Sequence, residues 1–180
     1  MVNIGSSIPS SGIFKKDFNS SFNFGLGLEL KLSDKSKVFL EFSNSKFKAN
    51  FDSASLSLNT LKTYIISLNG KYNFYSKDRL SINAGVGFGY NYYKLEYQNV
   101  YSFSVSSSSD GSYSIIPFIN LEYKLIPRVY LTSSFDYNYT LKNNLKLYNV
   151  NIGTGEMTEI DTYNLSYYQI KFGLKYSFKL

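Results

Sequence analysis

A chain of 180 residues with a formal charge of +6 amounts to one domain, 1–180, and its 18 Tyr and 15 Phe beside abundant Ser and Asn favour strands over helices. The absence of Cys and His excludes disulfides, zinc–cysteine sites and nucleophiles activated by imidazole or present as thiolate. Polar residues interrupt every apolar run before the roughly 18 to 20 residues that a membrane-spanning helix requires, and the Lys residues are spread along the chain instead of forming a nucleic-acid-binding patch.

Alternation of apolar and polar residues is the dominant signal, and it predicts strands in chain order. Val2, Ile4 and Ile8 alternate with Asn3, Gly5 and Ser7, giving a short first strand that ends at Pro9. From Phe22 to Leu32 the even positions are apolar, while the odd positions read Asn23, Gly25, Gly27, Glu29 and Lys31. Val38, Leu40 and Phe42 form the second arm of that hairpin. Tyr64, Ile66, Leu68, Gly70, Tyr72 and Phe74 come next, with one lapse on the polar side at Ile65. Leu80, Ile82, Ala84, Val86, Phe88, Tyr90 and Tyr92 then alternate cleanly with small and polar residues. Segments 115–125, 129–139 and 168–178 complete eight strands. Gly85, Gly87 and Gly89 fall at every second position, on one face, so they make room for bulky neighbours such as Phe118 and Tyr130; a phosphate loop needs a different spacing. Pro117 forfeits a ladder bond and is expected at a strand's rim.

The connections alternate in length. Ser33-Asp34-Lys35-Ser36, Tyr75-Ser76-Lys77-Asp78 and Ile126-Pro127-Arg128 are tight turns, whereas 43–61, 96–112 and 140–162 are long polar segments expected to be loops. Short turns at one end and long loops at the other predict an all-β, antiparallel up-and-down transmembrane β-barrel of eight strands.

Alternation does not say which face is inside, and a soluble lipocalin-like ligand-binding barrel is the rival reading. Volume decides against it, because an eight-stranded interior has space only for its own side chains or one small ligand. The Gly-, Ser- and Asn-rich polar face suits a narrow, hydrogen-bonded lumen. That lumen should carry Glu29, Lys31, Glu41, Lys71, Glu122, Lys124, Asp136, Lys171 and Lys175 as a paired ladder that plugs the barrel, the alternative being a narrow outer-membrane channel. The apolar face ends in aromatics, with Tyr72, Phe74, Tyr123, Tyr176 and Phe178 at the short-turn side and Tyr64, Tyr90, Tyr92, Tyr137, Tyr139 and Tyr168 at the loop side, as two membrane interfaces require.

In this pattern the chain resembles the small outer-membrane barrels, the OmpA-like and OmpX-like domains and their relatives in Bacteroidetes-type bacteria. The most specific element is Lys171-Phe-Gly-Leu-Lys-Tyr-Ser-Phe178, with Lys171, Gly173, Tyr176 and Phe178 in the positions of the C-terminal assembly signal. The resemblance implies an integral protein of the bacterial outer membrane, with lipid and the barrel-assembly machinery as partners. It also implies no catalysis, since the enzymatic barrels rely on a His. Neither a metal nor a cofactor is expected. A structural or adhesive role then falls to the long loops, where Tyr97, Tyr101, Phe103, Tyr148, Ile152 and Met157 are candidate contacts with a surface or partner protein. The alternative for these aromatics is pairing across a hairpin that extends above the membrane.

Overall fold

The computed structural model describes residues 1–10, 12–48, 57–98, 105–141, 146–150, 157–162 and 165–178. Eight strands close a barrel: β1 (Val2–Pro9), β2 (Ser21–Lys31), β3 (Ser36–Lys48), β4 (Ser57–Lys77), β5 (Leu80–Gln98), β6 (Val105–Ile126), β7 (Val129–Thr140) and β10 (Tyr167–Tyr176). Each pairs antiparallel with its sequence neighbours, and β1 closes the ring by pairing with both β2 and β10. A six-residue helix, α1 (Gly12–Asp17), follows β1, and a separate hairpin, β8 (Lys146–Val150) with β9 (Met157–Thr162), stands between β7 and β10.

Turn chemistry sets the short-turn end. The Ser33 hydroxyl accepts hydrogen bonds from the backbone N–H of Lys35 at 3.3 Å and of Ser36 at 3.0 Å, holding the bend that β2 and β3 share. The other two short connections are two-residue turns in which Asp78 and Arg128 take left-handed backbone angles (φ 52° and 71°), a conformation Asp tolerates and Arg adopts at a cost.

Alternation places the side chains as the period of two requires. Leu28 is 76% exposed and Leu68 61%, and Val86, Leu121, Leu131 and Leu174 also face outward, while Asn69 is 2% exposed and Asn120 and Gly87 are buried. This reverses the distribution in a water-soluble protein, and it rules out the lipocalin-like arrangement, whose apolar residues would line the interior. The aromatics expected at the two rims of the apolar belt lie on the outer surface, with ring pairs Tyr64–Tyr92, Tyr137–Tyr168 and Tyr176–Phe178 at 6.2, 4.8 and 4.8 Å between centroids.

Three expectations are corrected. The described residues of segments 43–61 and 96–112 are strand: β4, β5 and β6 run 21, 19 and 22 residues, about twice the 9 to 11 needed to cross a bilayer, so one wall continues past the aromatic rim. Polar composition hid this, because a sheet wetted on its outer face needs no apolar alternation there. Part of 140–162 is the β8–β9 hairpin. Pro117 lies inside β6, where it faces outward and keeps register with Val86, while the β6–β7 ladder skips Ile116 and Pro117. The strand therefore absorbs the missing donor mid-wall by omitting two rungs.

The outward face yields a test. Leu68→Arg or Val86→Arg should cost about 2 to 4 kcal/mol in urea unfolding from lipid vesicles; a cost within about 0.5 kcal/mol, normal for a water-exposed site, would contradict a lipid-facing wall.

Candidate functional site

The lumen is layered along the barrel axis. Nearest the short turns, Glu29 of β2 and Glu122 of β6 share three lysines from three further strands. Glu122 meets Lys71 at 2.5 Å, Lys175 at 2.6 Å and Lys37 at 3.1 Å. Glu29 meets the same three at 2.5, 3.1 and 3.7 Å. Each carboxylate thus touches every lysine, and the cluster ties β2, β3, β4, β6 and β10 across the barrel. Lys71 also lies 5.3 Å over the Phe39 ring and Lys175 4.8 Å over that of Tyr130.

Higher up, Lys171 of β10 bridges Glu41 of β3 at 2.7 Å and Asp136 of β7 at 2.5 Å, and Asn3 donates to Glu41 at 3.0 Å. The first cluster has more lysines than carboxylates and the second the reverse, so the four carboxylates match the four lysines across the two. Between them is a cavity of about 30 Å³ lined by Asn69, Lys71, Asn120, Asp136 and Lys171 among others, space on the order of two water molecules. An uncharged layer follows, in which Ser7, Asn23, Ser45 and Gln169 bond to one another and Asn138 donates to Asn91 at 3.3 Å.

The loop end of the lumen is apolar. Phe47, Leu61, Tyr93, Leu95, Leu165 and Tyr167 point inward there and are fully buried. The helix α1 lowers Phe14 onto them, with Phe18 just beyond it, so that the Phe14 ring sits 5.0 Å from Phe47 and 6.5 Å from Tyr167. Polarity is inverted in this region: the inward positions are apolar or aromatic, while the outward positions of β3, β4 and β5 include Lys46, Lys62, Lys94 and Glu96. In sequence the lapse at Ile65, itself buried beside this cap, and the phase change at Leu61-Lys62 and Tyr93-Lys94-Leu95-Glu96 are its signals.

Two members of the expected ladder lie elsewhere. Lys31 is 61% exposed and bonds Asp34 in the turn at 2.6 Å, a contact that holds the Asp34 carboxyl below its ordinary pKa. Lys124 is exposed at the barrel rim. Both have lumen parity but stand one rung past the last closed ring, where water solvates them better than a buried partner would. Lys37 takes part instead; its odd position opposite Lys31 and Lys71 in register made it legible from the same alternation.

The glycines act as spacers. A methyl group at Gly85 would collide with the Phe118 ring and one at Gly87 with the Asn69 amide. Of the assembly-signal residues, Lys171 and Gly173 face the lumen and Tyr176 and Phe178 face outward. Among the loop candidates, Tyr97, Tyr148 and Met157 belong to β5, β8 and β9, in register with Ser106, Glu159 and Val150. Tyr101, Phe103 and Ile152 lie outside the described residues.

No protein-family model and no curated protein matches the chain. Solved structures do. Neisserial surface protein A aligns over 98% of this chain and 94% of its own at 15% identity and TM-score 0.68. A major outer membrane protein of Thermus thermophilus aligns over 97% and 98% at 10% identity and TM-score 0.59. Ail, the attachment invasion locus protein of Yersinia pestis, in complex with the heparin analogue sucrose octasulfate, aligns over 97% and 95% at 13% identity and TM-score 0.55. At these identities the likeness is one of fold. The chain has the fold of the small eight-stranded outer-membrane barrels.

Because Glu122 is, among the described residues, one of only two carboxylates in contact with these three lysines, Glu122→Ala should leave three buried cations to Glu29 alone and cost about 3 to 5 kcal/mol. Unfolding midpoints in denaturant, compared with Glu122→Gln, measure the effect; a loss below about 1 kcal/mol would mean that water already screens the cluster.

Proposed function

We propose that the chain is an integral protein of the bacterial outer membrane whose lumen is closed by its own side chains and whose role, structural or adhesive, is exercised at the loop end. The observation that supports this best is the combination of an apolar outer wall with a lumen filled by two ion clusters below and an aromatic cap above. The wall is committed to lipid and the interior to itself, which leaves the protruding β4–β5–β6 wall, α1 and the β8–β9 hairpin as the surfaces free to recognise a partner. The similar structures include one named as a surface protein and one as an attachment invasion locus protein, in keeping with a surface role. Without His or Cys, the chain lacks the nucleophile activation on which the enzymatic barrels depend.

Excising 97–106, between the register partners Glu96 and Ser107, and replacing 142–162 by a tight turn tests the assignment. The trimmed barrel should keep its resistance to heat and protease and lose attachment to cells or matrix; undiminished attachment would remove the function from these segments.

A narrow channel is the second reading, favoured by the cavity beside Lys171. Planar-bilayer recordings separate the two: the closed lumen predicts no steady current from the parent protein, and a sustained conductance would establish the channel.

The terminal signal is assigned to the barrel-assembly machinery on its pattern alone. Phe178→Ala should lower the folded yield in cells while the protein refolded in detergent keeps its denaturant midpoint; an unchanged yield would count against the signal.

A further inference from the structure

Strand register lines up three lysines on the outer wall. Lys46 of β3 stands opposite Lys62 of β4, and Lys62 opposite Lys94 of β5. The alternate residues Phe47, Leu61, Thr63, Tyr93 and Leu95 are buried inside, so the three ammonium groups point away from the barrel. Two positions lower on the same strands the outward row is Asn44, Tyr64 and Tyr92, part of the loop-side aromatic rim. At about 3.3 Å per residue the lysines lie about 7 Å beyond those rings, the depth of lipid headgroups.

Like charges placed directly opposite destabilise a sheet, and this row has two such pairs in succession. Glu96 relieves part of the repulsion by bonding Lys62 at 2.8 Å and Lys94 at 3.2 Å. Among the described residues, Lys46 and the exposed Lys48, farther along β3, bring the lysines on this wall to four against that one carboxylate. On the barrel wall the row stands apart: near the same end the outward residues of β1, β7 and β10 include Ile8, Tyr139 and Tyr168, and the exposed Lys15 and Lys16 belong to α1, not to the sheet. The sheet therefore keeps an arrangement that weakens it, on one wall, at one depth.

We propose that the Lys46–Lys62–Lys94 row binds the phosphate groups of outer-leaflet lipid, holding that lipid against the β3–β4–β5 wall; the inference rests on the outer-membrane reading above. A lipid fits better than a soluble glycan because one molecule satisfies both surfaces: its phosphates meet the lysines while its acyl chains lie on the exposed Phe42, Ile66 and Tyr90 below and on Phe22 beside Lys46. Phe22 is itself the register partner of Lys46. The long lysine stems cover apolar surface and leave the charge at the headgroup level.

The test places the full chain and the K46Q/K62Q/K94Q variant in phosphatidylcholine nanodiscs with and without bis-phosphorylated lipid A, and counts retained lipid A by native mass spectrometry after delipidation. The parent should retain lipid A preferentially, and the variant should lose about fivefold in retention for each lysine removed. A K31Q/K35Q/K77Q variant, altered at the short-turn end, should retain it like the parent. In discs without lipid A the K46Q/K62Q/K94Q variant should be as heat-resistant as the parent or more so, since the repulsion is gone; this separates lost binding from lost folding. Equal retention by parent and variant would overturn the proposal, as would capture of sucrose octasulfate by the parent without retention of lipid A, which would assign the row to a sulfated glycan. Failure of the parent to enter the discs at all would overturn the outer-membrane reading instead.

Discussion

Inside a bilayer an unpaired backbone N–H or C=O costs several kcal/mol, and a sheet can avoid that cost only by leaving no edge. The pairing of β1 with both β2 and β10 meets this condition, and the rest of the molecule depends on it. Closure fixes which residues of every strand face out and which face in, because a slip of one residue in any register would turn a whole strand inside out. Closure also explains how β6 tolerates Pro117: two rungs of one ladder are omitted while the ladder to β5 continues through the same residues.

An eight-stranded ring leaves a lumen too narrow for bulk water and too wide to be left empty. The chain fills it with groups whose energies differ by depth. Long lysines reach through the short-turn half to carboxylates on neighbouring and on more distant strands, and sharing each partner among several charges offsets the cost of burying them. Short amides and hydroxyls fill the next layer, and rings close the loop end, where α1 brings in the two phenylalanines that the strands do not supply. The wide ring of Phe118, 5.5 Å from that of Phe39 in edge contact, fits because its register partner is Gly85. Interior and exterior are thus specified separately by the two parities of one sequence.

The period of two made the strand count, the outward face and most of the lower charge cluster legible in the sequence. Lys31 and Lys124 were misplaced because parity gives a face and not a depth: both are on the lumen side of their strands but past the last ring. The cap was invisible for a different reason. Phe14 and Phe18 sit in and just after a six-residue helix between strands, and their role follows from which open end of the barrel they cover, a relation that no local pattern encodes. The polar segments beyond the loop-side aromatics read as loops because an outer face that meets water carries no apolar row; there the ladder between β4, β5 and β6, with Leu61, Tyr93 and Leu95 packed inside, carries the strands onward. The lysine row on that wall needs register between three strands, which emerges only once the hairpins are aligned.

The central claim is that hydrocarbon, and not water or a protein core, surrounds the apolar wall. The chain has no cysteine, so a single spin label can be placed at will, and neighbouring positions 68 and 69 of β4 face opposite sides. In lipid vesicles, a label at Leu68→Cys should collide freely with dissolved oxygen and scarcely with a water-soluble nickel chelate, whereas a label at Asn69→Cys should be poorly accessible to both. A label at position 68 that meets the nickel chelate as readily as oxygen would place that wall in water and contradict the account.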